Sequence, residues 1–234
     1  MKSMIIDKLS FGYDSRALFR ETSLSVCSGA IVGLLGPNGS GKTTLFDIIC
    51  SIKQAEYCQL IIDFSTHLYL SQTITTPHTL RMFDIFKMIT ILCSSKKLSK
   101  DMAIEKLQIW CPELISRYAD IWAKKSANCS YGEKRWFFTL SLLAMNADFV
   151  ILDEPTAGVD PEFRHYIWKC LKGAAKGGTA VLVSSHNIDE ITMNCDRFYM
   201  ISQKKLNPFD SADGFKSHYG GNTLDEAFIL AAAL

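Results

Sequence analysis

Short apolar runs without polar interruption recur along the chain, at Ile31 to Leu35, Phe149 to Leu152 and Ala180 to Val183, with a further apolar-rich stretch, HLYL, at 67–70. Runs of this length bounded by turn residues predict strands buried on both faces, as in a parallel sheet, rather than half-solvated strands that alternate. Other stretches carry a helical period. TTLFDIICSI follows the first run, and Thr76 to Asn128 places Phe83, Phe86 and Ile89, then Ala103, Leu107, Trp110 and Leu114, at intervals of three or four. KRWFFTLSLLAM, from Lys134, predicts an apolar-rich helix, another helix is expected from Pro161, and the terminal NTLDEAFILAAAL predicts a short amphipathic or apolar one. No internal repeat, low-complexity tract or linker interrupts this order.

The chain has 234 residues, 48% of them hydrophobic, which is enough to bury a sizeable core and excludes disorder as the main state. Lys and Arg total 25 against 24 Asp and Glu, so no basic excess points to nucleic acid. Eight cysteines are scattered without a C-x-x-C pair, several beside apolar residues, a pattern of small buried hydrophobes that favours a reduced, cytosolic protein over a zinc or disulfide protein. The N-terminus lacks a long apolar run leading to a cleavage site, and no run of about 18 apolar residues occurs, so the chain is not expected to cross a membrane.

Candidate chemistry begins at AIVGLLGPNGSGKTT, Ala30 to Thr44. A strand enters a Gly-rich turn and leaves as a helix, which is the context that makes G-x-x-x-x-G-K-[ST] specific. Gly36, Gly39 and Gly41 let the backbone turn tightly and present N–H groups to phosphate oxygens, to which the helix adds its positive end. The whole stretch Gly36, Pro37, Asn38, Gly39, Ser40, Gly41, Lys42, Thr43 and Thr44 is thus a candidate nucleotide-binding loop. Lys42 has the reach to hold β- and γ-phosphates, and the Thr43 hydroxyl is placed to ligate Mg2+.

The run Phe149 to Leu152 ends in Asp153 and Glu154. Ligands of parallel sheets bind at the carboxyl ends of strands. Asp153 is expected to anchor a Mg2+ shell, and Glu154 to polarise the water that attacks the γ-phosphate, a general-base role of roughly 10²–10⁴ in rate. The run Ala180 to Val183 delivers Ser184, Ser185 and His186 to the same edge.

With these motifs assembled, the chain resembles the ATP-binding cassette (ABC) family, specifically the nucleotide-binding subunit of a transporter, over nearly its whole length and in the family's motif order. GPNGSGKTT matches Walker A and VILDEP Walker B. The resemblance implies that Tyr13 stacks on adenine, that Gln72 in LYLSQ is the Q-loop residue with a place in the metal shell, and that AGVD with Asp160 is the D-loop. It makes His186 the switch histidine, a third catalytic residue beside Glu154 and Gln72. Asp160 before Pro161 is also good helix-start chemistry. The implied fold is α/β: a P-loop NTPase core with a RecA-like mixed sheet, flanking helices and a small, trimmed antiparallel part, plus an inserted helical subdomain. Residues 1–75 and 129–234 would form the core of a single ABC ATPase domain and 76–128 the helical insertion, leaving no room for an appended regulatory domain. The implied activity is ATP hydrolysis with Mg2+, coupled to transport, with export favoured by the C-terminal likeness. The implied partners are a second cassette, identical or not, and an integral membrane permease that holds this chain on the cytoplasmic face. Trp110, Tyr118 and Trp122 are candidates for docking that permease. A nucleotide-gated module outside transport, or a weakly hydrolysing half of a heterodimer, is the alternative.

The stretch NCSYGEKR occupies the place of the family's signature loop, usually Leu-Ser-Gly-Gly-Gln, but reads Cys129-Ser130-Tyr131-Gly132-Glu133. Ser130 and Gly132, the positions that would meet a γ-phosphate, are kept. Ser130 and Glu133 also spell a capping box. A carboxylate at Glu133 would offset part of the helix dipole that attracts phosphate. Tyr131 implies a backbone that needs no positive φ, with its ring directed away from nucleotide. A working variant is expected, with an attenuated site as the rival.

Overall fold

In the computed structural model, which describes residues 2–14, 16–93 and 98–234, each apolar run lies in a strand of one sheet. In chain order the elements are β1 (Ser3–Tyr13), β2 (Arg16–Cys27), β3 (Ile31–Leu35), α1 (Lys42–Ile49), β4 (Tyr57–Ile62) and β5 (His67–Leu70). Next come α2 (Met82–Cys93), α3 (Lys100–Trp110), α4 (Ile115–Trp122) and α5 (Tyr131–Ala144). The chain closes with β6 (Phe149–Asp153), α6 (Pro161–Lys176), β7 (Ala180–Ser185), α7 (Ile188–Asn194), β8 (Arg197–Ser202), β9 (Lys205–Phe209), α8 (Ala212–Tyr219) and α9 (Leu224–Ala233). Residues 94–97 of the expected helical stretch Thr76 to Asn128 lie outside the described residues.

The large sheet has the order β5-β6-β7-β3-β8-β9, parallel except for the closing β8–β9 hairpin. β3, β6 and β7 are buried at every residue, as strands covered on both faces must be. The small sheet, β2-β1-β4, is antiparallel. One of its faces is buried: Met4 and Ile6 of β1 point inward with Leu24 and Val26 of β2, while Ile5 and Ile61 face out. Its core, with Phe46 and Ile49 of α1 and Leu34, Ile151 and Leu182 of the large sheet, fills the space between the two sheets. The second core lies on the opposite face of the large sheet, around α5, α6 and the helices after β5.

α5 is the pivot of that second core, because Trp136, Phe137, Leu140 and Ala144 are all fully enclosed. Tyr118 and Trp122 pack against it with ring centroids 5.2 and 5.3 Å from Phe137. These two aromatics, considered for partner docking, therefore belong to the interior. Trp110 is half-buried and presses on Gly173 of α6, where an added Cβ would lie 2.5 Å from the indole. All eight cysteines are free thiols. Among the described residues, no helix is long and apolar enough to cross a membrane.

Candidate functional site

Three parallel strands, β3, β6 and β7, end side by side, and their carboxyl ends carry the phosphate loop, Asp153 and Glu154, and Ser184 to His186. Gly39 and Gly41 have φ of 79° and 105°, the left-handed region that side chains resist, and Gly41 is the N-cap from which α1 starts. Gly36 serves for space instead, since a Cβ there would lie 2.5 Å from the Ser40 hydroxyl. The Lys42 ammonium is folded back into the loop, donating to the Gly36 carbonyl at 2.8 Å and the Pro37 carbonyl at 3.3 Å, and lies 3.5 Å from Glu154 Oε1.

The two carboxylates are held differently. Asp153, 1% exposed, accepts from the Thr43 hydroxyl at 2.6 Å through Oδ2 and from the Ser184 hydroxyl at 2.6 Å through Oδ1. Glu154, 5% exposed, faces the Gln72 amide, whose Nε2 donates to Oε2 at 3.4 Å, and His186 Nδ1, 3.3 Å from the same oxygen. Its backbone has φ 51°, a left-handed conformation that costs a non-glycine residue about 1–2 kcal/mol and therefore needs restraint. That restraint comes from both sides: the Glu154 N–H donates to Ser184 Oγ at 2.9 Å, and Arg135 Nε donates to the Glu154 carbonyl at 3.0 Å.

An open cavity of about 500 Å3 lies over the loop, lined by Asn38, Gly39, Gly41, Lys42, Thr43, Thr44, Gln72 and Glu154, with Tyr13, Arg16 and Leu18 on the rim. Tyr13, half-exposed, shares a hydrogen bond of 3.2 Å with the Thr44 hydroxyl and has the Lys53 ammonium 5.1 Å from its ring centroid. The Thr44 bond draws its phenol pKa below the ordinary value, against burial, with Lys53 adding to the same effect. The oxygen donors at the cavity floor, the Thr43 hydroxyl and the Asp153 carboxylate within 2.6 Å of each other, form the hard, oxygen-only set that suits Mg2+.

Ser130, Gly132 and Asp160 are outside this cavity's lining. Ser130 caps α5: its Oγ accepts from the Glu133 N–H at 3.1 Å, and Glu133 Oε2 accepts from the Ser130 N–H at 2.8 Å, completing the expected box. The other Glu133 oxygen accepts from Lys124 at 2.8 Å. Burial pushes the Glu133 carboxyl up, but Lys124 and the Ser130 N–H outweigh it and hold the group below the usual carboxylate range. Gly132 lies against the D-loop so closely that a Cβ would meet the Gly158 carbonyl at 2.5 Å. Asp160 is the N-cap of α6, but its side chain makes no capping hydrogen bond, so Pro161 at the first helical position carries the start alone. The Tyr131 ring packs against Gly158, and its hydroxyl donates to the Gln72 carbonyl at 3.0 Å.

Sequence reasoning missed Arg135, Ser184 as a bridge between the Asp153 carboxylate and the Glu154 N–H, and Arg16 in the cavity lining. Arg135 is fully buried and spans Glu154, Ser71 and Gln72 by donating to their carbonyls at 2.7 to 3.0 Å. A charged residue at an apolar position of the helix after Ser130 was its only signal. Ser184 was visible at the end of the run Ala180 to Val183, but not its partners.

A family model described as ABC transporter matches residues 19–157. Protein McbF of Escherichia coli is 34% identical over 217 residues, 90% of this chain and 87% of that protein. The lipopolysaccharide export system ATP-binding protein LptB of Escherichia coli is 31% identical over 215 residues, 88% of this chain and 89% of that one. A solved ATP-binding subunit of an ABC transporter superposes with a TM-score of 0.81 at 20% identity, covering 97% of this chain and 98% of that chain. A dimeric bacterial ABC transporter cassette does so with 0.73 at 19% identity, covering 88% and 98%. These two likenesses are of fold.

Proposed function

The chain belongs to the ABC transporter family as an ATP-binding, ATP-hydrolysing subunit, and we propose that it energises export by a separate membrane subunit through ATP-dependent pairing of two cassettes. The observation that carries the reading is the convergence of Lys42, Thr43, Gln72 and His186 on Asp153 and Glu154 at one sheet edge. A triphosphate in the cavity over the loop would draw the Lys42 ammonium from the Gly36 and Pro37 carbonyls and from Glu154. Glu154, relieved of that partner, is then the base for a water that Gln72 and His186 orient. Thr43 and Asp153 would hold Mg2+, with Gln72 at the edge of its shell; when bound, the ion spreads γ-phosphate charge. Tyr13 offers its ring to adenine.

Ser130 and Gly132, outside this cavity, would serve the nucleotide of the opposite cassette, with Asp160 on the same border. Closure then follows from γ-phosphate charge satisfied by groups of both subunits, and hydrolysis loosens it. The pairing of Glu133 with Lys124 supports a working signature loop over an attenuated one, because its negative charge is locally compensated. Export as the direction is supported by the relative LptB, the ATP-binding protein of a lipopolysaccharide export system.

For the membrane subunit, the surface that fits is an apolar groove of about 600 Å3 between β5, the segment after Gln72 and α2, lined by Leu68, Ile74, Ile85, Met88, Ile89 and Leu92. Its wall continues into the Gln72 loop, so an apolar cytoplasmic segment of the permease seated there would hold this chain at the membrane's inner face and feel the state of Glu154. The test is Glu154→Gln: nucleotide binding is retained, turnover falls by roughly 10²-fold or more, and ATP accumulates a dimer visible by size-exclusion chromatography. Hydrolysis at the wild-type rate would remove Glu154 from the base role.

A further inference from the structure

Tyr131 stands where the family pattern has Gly, and its contacts are specific. It opens α5, half-exposed, with its ring on Gly158 and its hydroxyl on the Gln72 carbonyl at 3.0 Å. One helical turn later, on the same face, Arg135 donates through Nη1 to that same Gln72 carbonyl at 2.9 Å and to the Ser71 carbonyl at 2.7 Å. One backbone oxygen thus accepts from two side chains of one helix. Arg135 Nε meanwhile holds the carbonyl of Glu154, whose left-handed backbone needs support. Three carbonyls thus hold the planar guanidinium through Nε and Nη1, while its Nη2 is enclosed with no hydrogen-bond partner among the described residues. The start of α5, which carries Ser130, is thereby bolted to the loop bearing Gln72 and to the peptide of Glu154.

We infer that Tyr131 and Arg135 are positioning residues for hydrolysis: they set the Gln72 side chain and the Glu154 backbone relative to the signature loop, so a shift of Ser130 is felt at this chain's own carboxylate. The tyrosine replaces the bare backbone of a glycine with a tether, which makes this signature loop a modified coupling element rather than a damaged one. The inference rests on Glu154 being the base.

The experiment is steady-state ATP hydrolysis by the full chain carrying Tyr131→Phe, alone and with Gln72→Ala, together with Arg135→Lys. Loss of one half-exposed hydrogen bond predicts a fall in kcat of roughly three- to tenfold with KM for ATP within twofold and a melting temperature lowered by no more than about 2–4 °C. In the Gln72→Ala background the Phe substitution is expected to add nothing, because its effect passes through Gln72. Arg135→Lys keeps the charge but not the fork, and is expected to lower kcat further at similar KM. Unchanged kcat for Tyr131→Phe, or an equal loss with and without Gln72, overturns the tether; full turnover by Arg135→Lys overturns the fork. Failure of the underlying reading is separate: it would show as normal hydrolysis by Glu154→Gln, whatever the Tyr131 and Arg135 variants do.

Discussion

Removal of the Ser184 hydroxyl is a sharp probe of how the two carboxylates are held. In Ser184→Ala, Asp153 Oδ1 loses a 2.6 Å donor and the Glu154 N–H loses a 2.9 Å acceptor, in a place where Ser184 itself is fully buried. A hydrogen bond to a charged group contributes roughly 1.5–3 kcal/mol and a neutral one about 1 kcal/mol, so the loss sums to about 2.5–4 kcal/mol. For a chain of this size, each kcal/mol shifts Tm by roughly 2–4 °C, which puts the melting point about 5–15 °C lower. Activity falls as well. With its N–H unpaired, the Glu154 peptide is free to relax from φ 51°, and the reorientation carries the carboxylate away from Gln72 and His186. If about 1.4 kcal/mol of that restraint is used in positioning, kcat drops tenfold. Scanning calorimetry and a phosphate-release assay on the same preparation check both numbers. A variant that melts within 2 °C of wild type (about 0.5–1 kcal/mol) and turns over at the same rate would refute the account of Glu154 as a strained residue clamped between Ser184 and Arg135.

Lys42→Ala should weaken nucleotide binding by at least tenfold, about 1.4 kcal/mol, in a fluorescent-nucleotide titration; unchanged affinity would contradict the phosphate-loop reading. The acid side of the stability curve carries a signature of the Glu133–Lys124 pair. Because the folded Glu133 pKa lies below its unfolded value of about 4.3, the pair's contribution is present above that value and is lost as pH falls through the folded one. Glu133→Gln should therefore narrow its stability gap to wild type as melts are carried from neutral pH into that acid window, by less than about 1 kcal/mol because Lys124 is solvent-screened. Parallel curves would show that the pair carries no linkage.

Much of the candidate site was legible because it is written locally. A phosphate loop works through consecutive backbone N–H groups, so Gly36 to Thr44 must be contiguous, and the strand before and helix after it leave their periods in the sequence. The same holds for the capping box, in which Ser130 and Glu133, two residues within one four-residue stretch, satisfy each other. The helical period from Phe83 to Leu114 gave helices but not their faces. Tyr118 and Trp122 could be read as surface or core until Phe137, on a different helix, was seen to cover them.

What the sequence determined by itself was the order of short-range devices: buried strands, Gly-rich turn, acid pair, capped helices, and through their order the family. What only the tertiary structure decided was their mutual restraint. Arg135 reaches the Gln72 carbonyl across 63 residues of chain and Ser184 reaches the Glu154 N–H across 30, and no period or motif encodes either pairing. The physical reason is that a hydrogen bond to a backbone carbonyl or to an N–H is indifferent to the identity of the residue that supplies it. Such contacts leave no complementary letter in the sequence, and they exist only once the sheet has brought the strand ends together.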